Sequence, residues 1–350
     1  MAMCPAATIL RPMTDTLPFS RRLFLATASA ALASPAIAQT DPWAEAAARA
    51  RSFDQCHAMM IWQGGQQRFA DVFRGPSLGR AVPIKSVSKS VVAALLGTAI
   101  DRGEVTGVDA RLGDVAPRLI PSSADPRVVE ITLADLVTMQ AGLERTSGAN
   151  YGEWVSSRNW VANALSRPFV AEPGEGMLYS TGSFHVLGAA LSEITGQSLL
   201  DLARARLGRP LDIDIPAWTR DPQGRYLGGN EMALTLDAMV RFGEVYRRGG
   251  AFDGAQVLSA DWVQQSFQPQ TRSRWSGLLY GYGWFLGSTG GTDYALARGY
   301  GGQIICVAPD VGLTVAITSD PLRPARSGGY FGDLQRLIEQ EIIPRAEELV

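Results

Sequence analysis

The chain is 350 residues long and carries 32 Lys and Arg against 34 Asp and Glu, a formal net charge of −2. That mild acidity gives no basic face for nucleic acid and no attraction to an anionic membrane. Three cysteines and two histidines are too few to suggest a structural zinc site, and no metal or other cofactor is implied.

The first residues read as an export signal. Ser20-Arg21-Arg22-Leu23-Phe24-Leu25 is a twin-arginine pattern, and Ala36-Ile37-Ala38 is a small-x-small cleavage site. The apolar run between them contains Pro35 and falls short of the roughly 20 residues a spanning helix needs. The expectation is a signal peptide over 1–38 and a mature domain over 39–350, periplasmic or secreted, without a stable membrane anchor. Cys4 leaves with the signal. Cys56 and Cys306 remain in apolar runs, where a disulfide and two buried thiols are both open.

His57 to Trp62 and Gln67 to Phe73, joined through Gly64-Gly65, read as a β-hairpin. Residues 86–101 are apolar nearly all round and stop at Gly103, the pattern of a helix in the middle of a core. From about 104 to 265 the chain is rich in helix signals. Ile131–Met139, Trp160–Leu165, Ser183–Thr195, Leu199–Leu207 and Leu234–Tyr246 are the clearest amphipathic stretches. Strand patterns return at Tyr294–Arg298, Gln303–Ala308 and Leu313–Thr318, and a last helix covers about 331–348. The predicted class is α/β: an antiparallel sheet built from both termini (about 39–84 and 275–350), flanked by helices, with an inserted helical lobe (about 104–265).

Thirty arginines stand against two lysines, Lys85 and Lys89, and Lys89 closes a Ser-x-x-Lys motif that begins at Ser86. Arginine never gives up its proton in a protein, whereas a buried amine can. Residues three apart share a helix face, so Lys89 can lie beside the Ser86 hydroxyl. To act as a base near neutral pH its pKa must drop from about 10.4 to about 7–8, a shift that burial supplies. Lys85 points off that face and reads as a solvated neighbour. A rival elbow, Gly75-Pro76-Ser77-Leu78-Gly79, lacks the helix it needs, because Arg80 to Pro83 follows. His57 precedes its serine on a strand and His185 reads as structural, so a Ser-His-Asp triad is not supported.

Ser86-Val87-Ser88-Lys89-Ser90 resembles the first motif of the penicillin-recognising serine hydrolases, which include class C β-lactamases, D-Ala-D-Ala carboxypeptidases and related esterases and amidases. Tyr179-Ser180-Thr181 is similar to their second motif, Tyr-x-Asn, and Tyr300-Gly301-Gly302 to their third, Lys/His-x-Gly. The likeness runs in order over about residues 55–345. It implies a β-lactamase/transpeptidase-like fold, Ser86 as nucleophile, Lys89 as base and Tyr179 as proton relay, with the first proton acceptor open between Lys89 and Tyr179 because coupled groups titrate as a unit. The amides of Ser86 and Gln303 would form the oxyanion hole. Thr181, Arg298, Tyr300, Gly301 and Gly302 would bind substrate, with the glycines admitting it close to the strand. Trp62, Trp154, Trp160, Trp218 and Trp284 are available to wall an acyl pocket, Trp284 foremost.

Two departures matter. Thr181 replaces an amide, and Tyr300 replaces a cation that would hold the carboxylate of a β-lactam or D-Ala-D-Ala peptide. Arg298, two residues earlier, is either its substitute or a solvent-facing edge arginine. The pattern looks closer to the 6-aminohexanoate-oligomer hydrolase and esterase branch. The expected activity is a serine hydrolase acting on a small-molecule ester or amide. A β-lactamase or D-Ala-D-Ala carboxypeptidase is the alternative, and a non-catalytic receptor on the same fold a further one. The oligomeric state is left open.

Overall fold

The computed structural model of the protein describes residues 41–350. The expected signal peptide lies outside the described residues. Eight strands form one antiparallel sheet. Two come from the start of the domain, β1 (Cys56–Gln63) and β2 (Gln66–Val72). Six come from the end: β3 (Thr271–Arg272), β4 (Leu279–Tyr280), β5 (Phe285–Thr289), β6 (Thr292–Gly299), β7 (Gln303–Ala308) and β8 (Leu313–Ser319). Their order is β2-β1-β8-β7-β6-β5-β4-β3. The sheet is therefore built from both ends of the described chain, as expected, and closed where β1 pairs with β8 from Met59 opposite Ile317 to Gln63 opposite Leu313.

Local chemistry explains the pieces. Gly64 and Gly65 have φ of 62° and 77°, the paired positive values of a tight hairpin turn. Every residue of β7 and β8 is buried, which fits strands with both faces covered and a continuous apolar sequence. Helix Leu236–Arg247 covers one face. A Cβ on its Gly243 would lie 2.6 Å from Thr314 and 2.9 Å from Ile305, so glycine sets how closely helix and sheet approach. Ala297 faces Ile305 across β6 and β7, while Arg298 faces Ile304 on the opposite side. There Arg298 meets Phe331 of helix Tyr330–Leu337.

Helix Ser88–Asp101 runs through the core, with every residue from Ser88 to Ala99 buried. Its apolar composition on all sides is the reason. The last helical stretch differs from the single helix read in the sequence. Tyr330–Leu337 passes through a π turn at Ile338–Ile342 before Ile343–Glu348. A second π turn, Arg204–Gly208, follows Leu199–Ala203. Both lie just ahead of a proline, Pro344 and Pro210. Proline lacks the N–H of the ordinary ladder and its ring crowds the preceding turn, and a π turn relieves both.

Cys56 and Cys306 are free and buried. Cys56 sits opposite Ser319 and Cys306 opposite Val315, on the two sides of β8. Four residues of strand span about 13 Å, well beyond the Cα separation a disulfide allows. Of the alternatives left by the sequence, two buried thiols hold.

Candidate active site

Ser86 lies on a 3-10 turn, Lys85–Val87, between the short strand Val82–Pro83 and helix Ser88–Asp101. It therefore precedes the α-helix rather than opening it. Lys89 occupies the first helical turn and is 2% exposed. Its Nζ is 3.0 Å from Ser86 Oγ, 3.2 Å from Thr181 Oγ1 and 2.7 Å from the carbonyl oxygen of Gly229. Among the described residues, no carboxylate lies within ion-pairing distance of this amine. Burial alone pushes its pKa down from 10.5 to about 7.

The three contacts would give an ammonium one acceptor per N–H, and a neutral amine can be placed among them as well. Gly229 O can only accept, so one N–H goes there. Thr181 Oγ1 can accept a second N–H while donating to Ser147 Oγ, 3.1 Å away. The lone pair is then left for Ser86. Around this centre lie the rings of Tyr179, 5.0 Å from Nζ, and Phe184, 5.8 Å away. Burial raises the pKa of Tyr179, against the opposing pull of a hydrogen bond with the Ser86 side chain and of the Arg298 charge. At neutral pH the phenol keeps its proton.

Tyr179 arrives on the loop ahead of helix Thr181–Thr195. That helix has no cap from its own N-cap residue, Ser180. Two residues far away in sequence cap it instead. Thr181 N–H donates to Ser147 Oγ at 2.8 Å and Gly182 N–H to Thr146 Oγ1 at 2.7 Å, while Ser180 Oγ accepts from Thr146 N–H at 3.1 Å. The Gly229 carbonyl is set by a similar closeness. A Cβ on Gly228 would sit 2.2 Å from Phe184 O, and one on Gly229 would sit 2.8 Å from the Phe184 Cβ. His185 pins the same loop. Its Nδ1 accepts from Gly228 N–H at 3.4 Å and its Nε2 donates to the buried Asp221 at 3.1 Å. Burial holds the ring below its ordinary pKa and neutral. Sequence reading missed Thr146, Ser147 and Gly229; only the Gly228-Gly229 pair carried a visible signal.

Other predicted residues land differently. Thr181 is buried and engages Lys89 and Ser147 rather than an open pocket. Trp284 is fully buried, stacked parallel to Phe242 with centroids 6.1 Å apart and packed on Tyr246 and Phe267. It is a core residue and cannot wall a substrate pocket. Trp154 and Trp160 are also buried, with His185 against both. Tyr300 is 49% exposed in the turn between β6 and β7, beyond the strand itself.

Gly301 and Gly302, at φ 85° and 97°, face the protein's own chain. Cβ atoms there would lie 2.3 Å from Asp320 O and 2.5 Å from the Tyr330 ring, so the need for glycine comes from the turn and not from a ligand. The Gln303 side chain donates to Ser319 O at 2.8 Å and accepts from its N–H at 3.2 Å. Gly299 brings this strand end to Ser86: a Cβ there would lie 2.2 Å from Ile84 O.

Arg298 is not an edge arginine, because β6 lies between β5 and β7. Its guanidinium stacks on Phe331 at 4.2 Å and Phe285 at 5.2 Å and donates to Ser327 Oγ at 3.3 Å. Burial lowers its pKa to about 10. Lys85, expected in solvent, is instead paired with Glu231 at 3.0 Å.

The arrangement offers a hydroxyl, a buried amine able to take its proton, and a protonated phenol within one small volume. A family model described as Beta-lactamase matches residues 49–338. AmpH of Escherichia coli K12, a D-alanyl-D-alanine-carboxypeptidase/endopeptidase, is 28% identical over 209 residues, 55% of this chain and 53% of that protein. The chain thus spans about half the length of AmpH. Penicillin-binding protein 4 of Amycolatopsis lactamdurans is 26% identical over 302 residues, 73% of this chain and 76% of its own. Among solved structures, a penicillin-binding protein homologue from Caulobacter crescentus superposes with a TM-score of 0.72 at 16% identity, covering 87% of this chain and 98% of that one. That last likeness is one of fold.

Proposed function

We propose an activity for a chain that belongs to the Beta-lactamase family of serine, penicillin-recognising hydrolases and has their β-lactamase/transpeptidase-like fold: it cleaves a small ester or amide through an acyl-enzyme on Ser86. The observation that carries this reading is the buried Lys89 amine, 3.0 Å from Ser86 Oγ, with its pKa at about 7. Ser86 Oγ attacks the substrate carbonyl as its proton passes to the lone pair of Nζ. The carbonyl oxygen becomes an anion held by the Ser86 amide; Gln303, fully buried and paired with Gly299 across the hairpin, is not open to it. As the bond to the leaving oxygen or nitrogen breaks, Tyr179 passes its phenolic proton to that atom and regains one from the Lys89 ammonium. Water then attacks the acyl carbon, losing its proton along the same path, and Ser86 recovers its hydrogen as the acid departs.

The direction of the two pKa shifts favours Lys89 over Tyr179 as the first base. The amine is about half neutral at pH 7, while the phenol is held protonated. Thr181 and Gly229 orient the amine. Tyr300, exposed and uncharged in the third-motif turn, favours esters and amides that carry no carboxylate. A D-Ala-D-Ala carboxypeptidase reading rests on Arg298, a cation close enough to act on Tyr179. The twin-arginine pattern supports an enzyme domain of 39–350 working outside the cytoplasm.

Intact mass after exposure to a fluorophosphonate, p-nitrophenyl esters and a penicillin tests these readings together. Phosphonylation at Ser86 and ester turnover, without a penicillin adduct or penicillin hydrolysis, is the expected result. A stable or hydrolysed penicillin adduct would favour the carboxypeptidase or β-lactamase reading. A Ser86 that no reagent modifies would leave a receptor.

A further inference from the structure

The two segments that present the nucleophile and hold its base run side by side. Val82 pairs with Leu234 and Pro83 with Ala233, and Ile84 N–H donates to Met232 O at 2.9 Å. Ser88 Oγ donates to Lys85 O at 2.6 Å and accepts from Met232 N–H at 3.3 Å. Beyond them, Lys89 Nζ reaches Gly229 O. Within this ladder stand Lys85, next to Ser86, and Glu231, two residues after Gly229.

Both have left-handed backbones, with φ of 51° at Lys85 and 64° at Glu231. Most left-handed positions among the described residues are glycine, and only five are not. A side chain with a Cβ is strained there, and glycine would remove the strain. The sequence keeps two charged side chains instead, and they meet. Lys85 Nζ lies 3.0 Å and 3.3 Å from the two carboxylate oxygens of Glu231, with the side chains 16% and 30% exposed. Every other cation in the chain except Lys89 is an arginine.

We propose that the Lys85–Glu231 ion pair clamps these two strained turns together and so sets the alignment of Ser86 Oγ with the Lys89 amine. Lys85 and Glu231 are positioning residues: neither takes the proton, and Lys85 acts through the adjacent Ser86 while Glu231 acts through Gly229, two residues before it. Lys85 carries the left-handed step by which the chain leaves the strand Val82–Pro83 and turns Ser86 toward Lys89. Glu231 carries the matching step that follows the Gly229 carbonyl. With the pair intact, the separation between nucleophile and base is fixed from both sides, as a near-attack geometry requires.

This inference rests on Ser86 and Lys89 being the reacting pair, and its test separates the two claims. Fluorophosphonate labelling of wild-type Ser86 is the control; if it fails, the reading of the active site fails first. Given labelling, Glu231→Gln and Lys85→Met are each expected to lower the labelling rate constant and kcat for a p-nitrophenyl ester tenfold to a hundredfold. KM should stay within about threefold. The charge-swapped double variant Lys85→Glu/Glu231→Lys should recover at least part of the rate lost by Lys85→Glu alone, in proteins whose circular dichroism matches wild type. Lys85→Gly, which relieves strain but removes the ion, should be as slow as Lys85→Met. Wild-type labelling rates in Glu231→Gln and Lys85→Met would overturn the clamp and leave the nucleophile assignment standing. So would a Lys85→Gly variant as fast as wild type, or a double variant no faster than its parent.

Discussion

At the scale of single residues, Lys89 is the group whose chemistry and stability pull in opposite directions. Its pKa is about 7 in the fold against 10.5 when exposed, so the unfolded chain binds the proton more tightly. The resulting penalty on folding is fully present below pH 7 and fades as pH rises from 7 through 10.5, because there only the unfolded amine is still charged. Its size is on the order of 4–5 kcal/mol at 1.36 kcal/mol per unit. Lys89→Met should therefore abolish ester turnover, at least a thousandfold, while melting no lower than wild type at pH 7. The Tm gap should move in favour of wild type as the pH is raised toward 10. An inactive variant that melts well below wild type at pH 7 would mean that the amine supports the fold. The same shift gives kcat/KM an acid limb with its midpoint near pH 7, because only the neutral amine accepts the Ser86 proton. Tyr179, held above its ordinary pKa by burial, adds no loss through the neutral range. A limb near pH 10, read from an ester-hydrolysis profile, would reassign the base. The Ser-x-x-Lys spacing and the lysine scarcity made this pair legible in the sequence. The Lys85 contact was not, since its partner lies 146 residues away.

At the scale of elements, legibility followed periodicity. The hairpin, the core helix and β6 to β8 were readable because alternation and apolar runs are local signals. The short strands β3 and β4 at one end of the sheet were not, because two residues each leave no pattern to read. The π turns ahead of Pro210 and Pro344 were hidden for a different reason: the apolar stripe continues through them while the hydrogen bonding changes. Helix Thr181–Thr195 is the clearest case of a start that sequence cannot locate, because its cap comes from Thr146 and Ser147. Ser147 accepts from Thr181 N–H and lies beside Thr181 Oγ1, so one hydroxyl supports both the helix start and the amine's second partner. Ser147→Ala should cost about 1–2 kcal/mol by urea unfolding, the range of a lost helix cap. It should also slow ester turnover severalfold, through the freed Thr181 hydroxyl. A variant that loses stability but keeps its full rate would confine Ser147 to capping.

At the scale of the whole molecule, both ends of the described chain meet in one sheet, and the candidate site sits where the helical middle packs against it. That architecture also decides how the two cysteines behave. β1 and β7 flank β8 on opposite sides, so Cys56 and Cys306 are held apart by a strand and offset along it. Burial raises both thiols, Cys56 to about 11, so neither offers a thiolate at neutral pH. An oxidising compartment therefore has no disulfide to form within this fold. A protein trimmed of its first 38 residues should give no reaction with Ellman's reagent when native and two thiols when unfolded in guanidinium. Its Tm should be the same with and without dithiothreitol. A reductant-dependent Tm, or fewer than two thiols after unfolding without reductant, would require a bridge that brings β1 and β7 together past β8. The sheet order leaves no path for one.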